Sequence, residues 1–243
     1  MTGLNAPDRR IQARRSSGEH AALLLRRLIF DGELRPGDRV PQDDVARMLG
    51  VSRIPVREAL IALEQEGWVT IELHRGAFIN VLDEASIRDH YDLYALVYGT
   101  AARKALQRDG EGLLHRLQQI HTVLQETSNP EEIGRCTVAF NAAVVDAAGS
   151  PRMKVLLRSM TGLVPGDFFT LVAGAVDVAR SGSNAVLRAL RRGDGDRAAF
   201  EYQTMMRQMG DKVVTVFRSR GLLDGQASGD DRTAASAQEQ GDE

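Results

Sequence analysis

The sequence predicts a mainly α-helical chain in two parts, a small N-terminal unit of three helices and a hairpin followed by an antiparallel all-α helical bundle. Three observations predict it. Aromatic residues are only 5% of the 243 residues, too few for a sandwich stocked with Trp and Tyr. Apolar residues recur at helical spacing through most of the chain and alternate at period two only between Trp68 and Val81. Turn residues punctuate the chain often enough to set short helices first and long ones afterwards. The length suffices for two cores.

The first elements follow in order. Arg9, Arg10, Arg14 and Arg15 stand among little that could pack, so residues 1–17 read as a flexible basic arm. Ser16-Ser17-Gly18-Glu19 is a capping-box pattern, and Ala22, Leu25, Leu28 and Ile29 continue it as one face of a helix that ends at Asp31-Gly32. A turn at Arg35-Pro36-Gly37-Asp38 leads to a helix from Gln42 to Leu49, with acids in its first turn and Gly50 past its end. Ser52 caps the third helix and Pro55 sits in its first turn, while Val56, Ala59, Leu60 and Leu63 repeat as i, i+3, i+4, i+7. Trp68–Leu73 and Ala77–Val81 then read as strands around His74-Arg75-Gly76. Three short helices and a hairpin over residues 18–82 make a winged helix-turn-helix.

From Ala85 onward the pattern is helical, with helices expected near 85–107, 112–127, 131–148, 152–163, 183–192 and 195–219. Residues 83–222 thus form a helical domain, within which 162–182 is ambiguous because Pro165-Gly166 interrupts an otherwise apolar stretch. Residues 223–243 combine acid, Gly, Ser, Ala and Gln with few large apolar side chains, a disordered acidic tail by composition.

The formal net charge of -2 hides an uneven distribution: Lys104, Lys154 and Lys212 are the only lysines, so the N-terminal third is positive through arginine alone. Arginine is the side chain that forks onto guanine edges. Charge breaks every apolar run before membrane-span length, and Met1 is followed by Thr, Gly and Asn, not by an apolar signal core, which leads us to expect a cytoplasmic protein. The single cysteine, Cys136, fits a reducing compartment.

With the apolar stripe of the third helix facing inward, Arg53 and Arg57 project together near its N-terminus, as on a recognition helix in a major groove. The bland alternative is a solvated arginine face paired with Glu58 or Glu64. Leu34-Arg35-Pro36-Gly37, Leu49 through Leu60 (LGVSRIPVREAL), Leu63 to Gly67 (LEQEG) and Arg75 to Phe78 (RGAF) resemble the N-terminal domain of GntR-family transcription regulators. The resemblance implies a DNA-binding set of Arg47, Ser52, Arg53, Pro55, Arg57, His74, Arg75 and Gly76, with Arg47 on a phosphate, Arg53 and Arg57 on bases, and the wing tip in the minor groove. One position departs: Asp43 stands where fatty-acid-responsive members have a DNA-contacting arginine.

The helical part resembles the FCD branch of the FadR subfamily, through Leu93–Arg103, Phe140–Met153 and Ala185–Asp194. That resemblance implies a small-molecule effector, often held through a metal by one acid and three histidines. Here the corresponding places hold Thr137, Asn141, Ser183 and Met205, poor ligands for a divalent cation, so no metal and no cofactor are expected. His90, His115 and His121 read as partly exposed helix residues without an acid partner. Tyr94 and Tyr98 occupy places where members taking charged effectors carry an arginine and a glutamate. An effector site of Tyr94, Tyr98, Thr137, Asn141, Ser183 and Met205, with Met206 and Met209 near, suits an apolar or aromatic molecule; the alternative is that these side chains are bundle core.

No nucleophile elbow, phosphate loop, zinc-protease motif or dinucleotide fingerprint occurs, so no catalytic residue is expected. The expectation is a ligand-responsive regulator, a repressor and homodimer on a short inverted repeat of double-stranded DNA. Its rival is a ligand-independent DNA-binding or protein-interaction protein whose helices serve only dimerisation.

Overall fold

The computed structural model describes residues 16–160, 163–165 and 168–223, with only the backbone of Asp109. The expected basic arm, apart from its last two residues, and the expected acidic tail, apart from its first, lie outside the described residues.

The N-terminal unit starts with α1 (Ser17–Phe30), whose N-cap Ser16 accepts from the Glu19 amide while the Glu19 carboxylate accepts from the Ser16 amide. That reciprocal pair satisfies two amides no helical carbonyl can reach. Helix α2 (Gln42–Leu49) ends on Gly50 in the left-handed region, and α3 (Arg53–Gln65) follows after a short turn. Ser52 stands at the N-cap of α3 with extended backbone, but its side chain makes no capping hydrogen bond. Ala21, Leu25, Ile29, Val45, Val56, Leu60 and Leu63 fill the core between these helices.

The hairpin is shorter than its alternation suggested. Strands β1 (Val69–Glu72) and β2 (Gly76–Ile79) pair antiparallel, Val69 opposite Ile79 and Glu72 opposite Gly76. The segment after the Pro36-Gly37 turn adds a third strip, since the Val40 amide donates to the Ala77 carbonyl at 2.8 Å and the Ile79 amide to the Asp38 carbonyl at 2.9 Å. The tip is held tightly: His74 has φ of 62°, and at Gly76 (φ 114°) a Cβ would lie 2.8 Å from Arg39 Nε. The positive φ is what calls for glycine there, since the arginine's flexible end could shift away from a Cβ.

The bundle departs from expectation at its first helix. Helix α4 (Glu84–Glu126) runs 43 residues without a break at Asp109-Gly110. A mid-helix glycine costs about 1 kcal/mol relative to alanine, but Ala105, Leu113, Leu117 and Leu124 on both sides of it are buried, and their packing outweighs that cost. Helices α5 (Pro130–Ala148) and α6 (Pro151–Ser159) begin with proline behind Asn129 and Ser150 caps. In the ambiguous stretch the described residues include the short helix α7 (Phe168–Leu171), after which α8 (Ala175–Arg191) starts eight residues earlier than periodicity suggested. Its extra turns are amphipathic, burying Ala175, Val178 and Ala179. Helix α9 (Gly195–Ser219) closes the bundle against α4 and α8.

The two parts meet through the end of α9. Phe217 is fully buried, its ring 5.6 Å from Phe30 and 6.2 Å from Trp68, and the Arg220 guanidinium lies 4.0 Å over the Phe30 ring while donating to the Phe30 carbonyl at 3.1 Å. Leu223 pairs alongside Leu82, where the chain leaves the wing.

Candidate nucleic-acid interface and effector site

An open groove of about 880 Å³ runs along the N-terminal unit between the start of α3, the α2 N-terminus and the wing, lined by Arg39, Asp43, Arg53, Arg57, Leu73 and His74 among others. The local sequence explains the layout. The stripe Val56, Ala59, Leu60 and Leu63 turns inward, which leaves Arg53 and Arg57 one turn apart on the outer face, and the hairpin's left-handed tip presents His74 and Arg75 beside them.

Each arginine has a distinct setting. Arg47 pairs with Asp44 at 2.7 Å one turn earlier on α2, and Arg75 pairs with Glu72 across the wing tip while its guanidinium lies 5.5 Å from the Phe78 ring centre. Arg53 pairs with Asp43 and not with Glu58 or Glu64: Nη2 donates to Oδ2 at 2.7 Å, and Nε is in ion-pair contact with Oδ1. Glu64 instead accepts from the Ile71 amide at 2.8 Å, tying α3 to β1. Among the described residues no acid pairs with Arg57, which lines the groove's wall. Pro55 is half-buried, its carbonyl towards Gly18 of α1, and Gly76 carries the wing backbone. The structure therefore gathers Arg53, Arg57, His74 and Gly76 on one groove, with Ser52, Pro55 and Arg75 alongside in sequence and Arg47 on the flanking helix.

Two residues, one lining the groove and one exposed next to Arg53, escaped the sequence reading. Arg39 lies beneath the wing at Gly76 and reaches the groove from the strip before α2; its signal was an arginine alternating with buried Val40. Ile54 is 67% exposed between Arg53 and Pro55, and its signal was an apolar residue off the inward stripe. An exposed aliphatic group there suits a thymine methyl, as the arginines suit guanine or phosphate.

In the bundle, Tyr94 and Tyr98 stack with ring centres 5.8 Å apart, and Tyr98 stacks on Tyr202 of α9 at 5.5 Å. Tyr202 donates to Asn141 Oδ1 on α5 at 3.3 Å, and Tyr94 donates to the Met160 carbonyl at the end of α6. A chain of rings thus joins α4, α9, α5 and α6. Tyr202 was missed because it lies outside the segments that carry the resemblance. Burial keeps every one of these phenols neutral, pushing Tyr98 up to about 12 and Tyr94 and Tyr202 well above the usual range.

The remaining expected site residues have partners of their own. Thr137, one turn before Asn141, donates to the Ile133 carbonyl at 2.9 Å. Met205 packs on α8 so closely that a Cβ on Gly182 would lie 2.4 Å from its Sδ, which sets it beside Ser183. Ser183 is buried, donates to the Arg180 carbonyl at 3.1 Å, and lies 3.2 Å from His121 Nδ1. His121 is therefore a buried residue of the bundle, not the partly exposed one expected; burial first, then the Arg191 charge, lowers its pKa below the ordinary histidine value. His90 is half-buried with rings of Tyr91 and Tyr94 edge-on to it, and His115 is exposed. Among the described residues no three His, Cys, Asp or Glu side chains stand close enough to hold a metal ion, and no helix is long and apolar enough to cross a membrane.

Comparison with known proteins bears on both parts. Residues 17–79 match the family described as bacterial regulatory proteins, gntR family, and residues 89–209 match the FCD domain. An uncharacterized HTH-type transcriptional regulator of Mycobacterium tuberculosis (strain ATCC 25618 / H37Rv) is 34% identical over 142 residues, 58% of this chain and 58% of that protein. The Nta operon transcriptional regulator of Aminobacter aminovorans is 42% identical over 74 residues, 30% of this chain and 35% of its own. The matched stretches thus span less than two thirds of these relatives. Among solved structures, E. coli McbR/YncC superposes with a TM-score of 0.57 at 18% identity, covering 85% of this chain and 99% of that one. A GntR family transcriptional regulator from Pseudomonas syringae pv. tomato str. DC3000 gives 0.52 at 23% identity, covering 83% and 88%. At these identities the likeness establishes the fold.

Proposed function

Because the chain belongs to the gntR family of bacterial regulatory proteins and joins that domain to an FCD domain, we propose that it is a ligand-responsive DNA-binding transcription regulator, a repressor of a catabolic or lipid-related operon. It is not an enzyme. We take residues 18–82 as the DNA-reading unit and 83–222 as the effector-binding and dimerising one. The observation that carries the DNA reading is the groove itself, where Arg53 and Arg57 rise from the start of α3 within reach of a wing that presents His74. In that pose α3 enters a major groove, Arg53 and Arg57 read base edges with Ser52 and Pro55 beside them, Arg47 holds a phosphate, and His74, Arg75 and Gly76 follow the adjacent minor groove.

One such unit reads few bases, so the functional form is a homodimer on a short inverted repeat. Fluorescence anisotropy on such a fragment tests this. Affinity should fall steeply with salt, with a slope matching roughly 6–10 phosphates, and sedimentation should give two chains per site; one chain per site would overturn the dimer.

The effector is apolar or aromatic and binds without metal among Tyr94, Tyr98, Thr137, Asn141, Ser183 and Met205. Support comes from chemistry: these are neutral, stacked or weakly hydrogen-bonding groups, with no charge to hold a small carboxylate. To release DNA, the effector must bind the DNA-incompetent form more tightly. Thermal-shift measurements with acyl chains, aromatics and dicarboxylates, with zinc or EDTA, decide between readings. Stabilisation by an acyl or aromatic compound, indifferent to EDTA, is expected; stabilisation by a dicarboxylate that EDTA removes would overturn it.

A further inference from the structure

Asp43 holds Arg53 by one particular side of its guanidinium. Nη2 donates to Oδ2 at 2.7 Å and Nε stands in ion-pair contact with Oδ1, so the carboxylate covers the side-on edge of the guanidinium. A guanidinium carries five N–H donors in a rigid plane. The side-on edge, Nε and the inner N–H of Nη2, is turned to Asp43. The outward N–H of Nη2 and the two of Nη1 remain, and the outward pair from Nη1 and Nη2 forms the end-on fork that fits N7 and O6 of a guanine. Asp43 reaches Arg53 from the first turn of α2, so the grip also fixes the guanidinium relative to both helices of the motif. Both side chains are solvent-facing on the groove, at 69% and 57% exposure, so the pair contributes little to folding.

We propose that Asp43 is the specificity-determining partner of Arg53: it presents the arginine end-on to one guanine and, as a carboxylate beside the backbone, penalises binding to other DNA. This rests on the DNA-reading proposal above. Asp43 is a positioning residue here, acting through Arg53. The proposal has two separable consequences. Without the carboxylate, Arg53 is free to swing to a phosphate, so base preference falls; and one negative charge leaves the interface, so binding to random DNA tightens.

Competition binding of the full chain on an inverted-repeat operator, varied base by base, tests this with Asp43→Ala, Asp43→Asn, Arg53→Ala and the double variant. Asp43→Ala should lose roughly tenfold or more in preference at the base pair where Arg53→Ala loses its own, with Asp43→Asn between it and the parent, while affinity for random DNA rises. In the Arg53→Ala background, Asp43→Ala should leave preference unmoved. Unchanged preference in Asp43→Ala overturns the proposal, as does a tighter operator complex with preference intact, which would make Asp43 a competitor for Arg53. Altered preference in Arg57→Ala but not in Arg53→Ala also overturns it while leaving the DNA reading standing; no salt-dependent binding by the parent chain sinks both. Matching thermal unfolding of the exposed variants excludes misfolding as the cause.

Discussion

In the N-terminal unit the arginines stand in solvent with acids beside them, side chains 69–75% exposed for Arg47, Arg53 and Arg75, whereas in the bundle the hydroxyls of Tyr94 and Tyr202 are spent inside, on a carbonyl and an amide. The difference sets what each region gives up on binding. An exposed ion pair is worth about 0–1 kcal/mol, so Arg47 and Arg75 can leave their acids at small cost, while Arg53 keeps one edge of its guanidinium open beside Asp43. A buried polar atom left without a partner costs about 1–3 kcal/mol, so a ligand that parts the ring stack must replace the bonds it breaks. The first surface is ready before its partner arrives; the second has to be reopened by one.

The strongest way to break that comparison is to cut the join between the regions. Phe217→Ala removes a fully buried ring packed on Phe30 and Trp68, and should cost about 3–5 kcal/mol. Calorimetry should then resolve two unfolding transitions where the parent shows one; a single transition with unchanged midpoint would mean the two regions are not coupled through this contact. Smaller, and confined to the exposed surface, is Arg57→Ala, expected to cost about 1–3 kcal/mol on the operator and to relax base preference, while Arg47→Ala weakens all sequences alike. Equilibrium binding on single-base operator variants separates the two, and an Arg57→Ala protein with unchanged preference refutes the assignment.

The smallest effect belongs to the buried region and is read by pH. Burial holds His121 and His90 below the ordinary histidine value of 6.5, with the Arg191 charge adding to this at His121 and Glu66 opposing it at His90. The unfolded chain therefore takes up protons first as pH falls, so the stability present above 6.5 is lost as pH drops through the folded values. Each group adds a slope below about 1.4 kcal/mol per pH unit. His121→Gln should flatten the pH dependence of urea-denaturation stability between about pH 7.5 and 5; an unchanged slope would place the proton uptake elsewhere.

What could be read from the sequence divides along the same line. The winged motif was legible because its constraints are local: Ser16 with Glu19, Gly50 after Leu49, and the Val56-to-Leu63 stripe each act within a turn or two. Gly195–Ser219 was bounded as expected for the same reason, its Asp194 cap accepting from the Arg197 amide. The misreadings came from tertiary contacts. Gly110 looks like a stop until Leu113 and Leu117 are seen to be buried, and His121 looks like a surface residue until Ser183, 62 positions away, is found against it. Asp43 was visible as an unusual residue, but its partner ten positions on was not. A binding surface writes itself in residue types, while a bundle interior is written in pairings that span the chain.

The closure of α9 on the N-terminal unit bears on how a signal could travel. Among the described residues the unit meets the bundle at the chain passage at Leu82 with Leu223 beside it, at the C-terminus of α1, where Arg220 covers Phe30 and donates to its carbonyl, and at Trp68, against which Phe217 packs. A body held at several points turns only by giving up some of them. A repositioning of the arginine groove relative to the bundle would then have to loosen contacts made by the last turn of α9, which makes that turn the place where a change in the bundle would be felt.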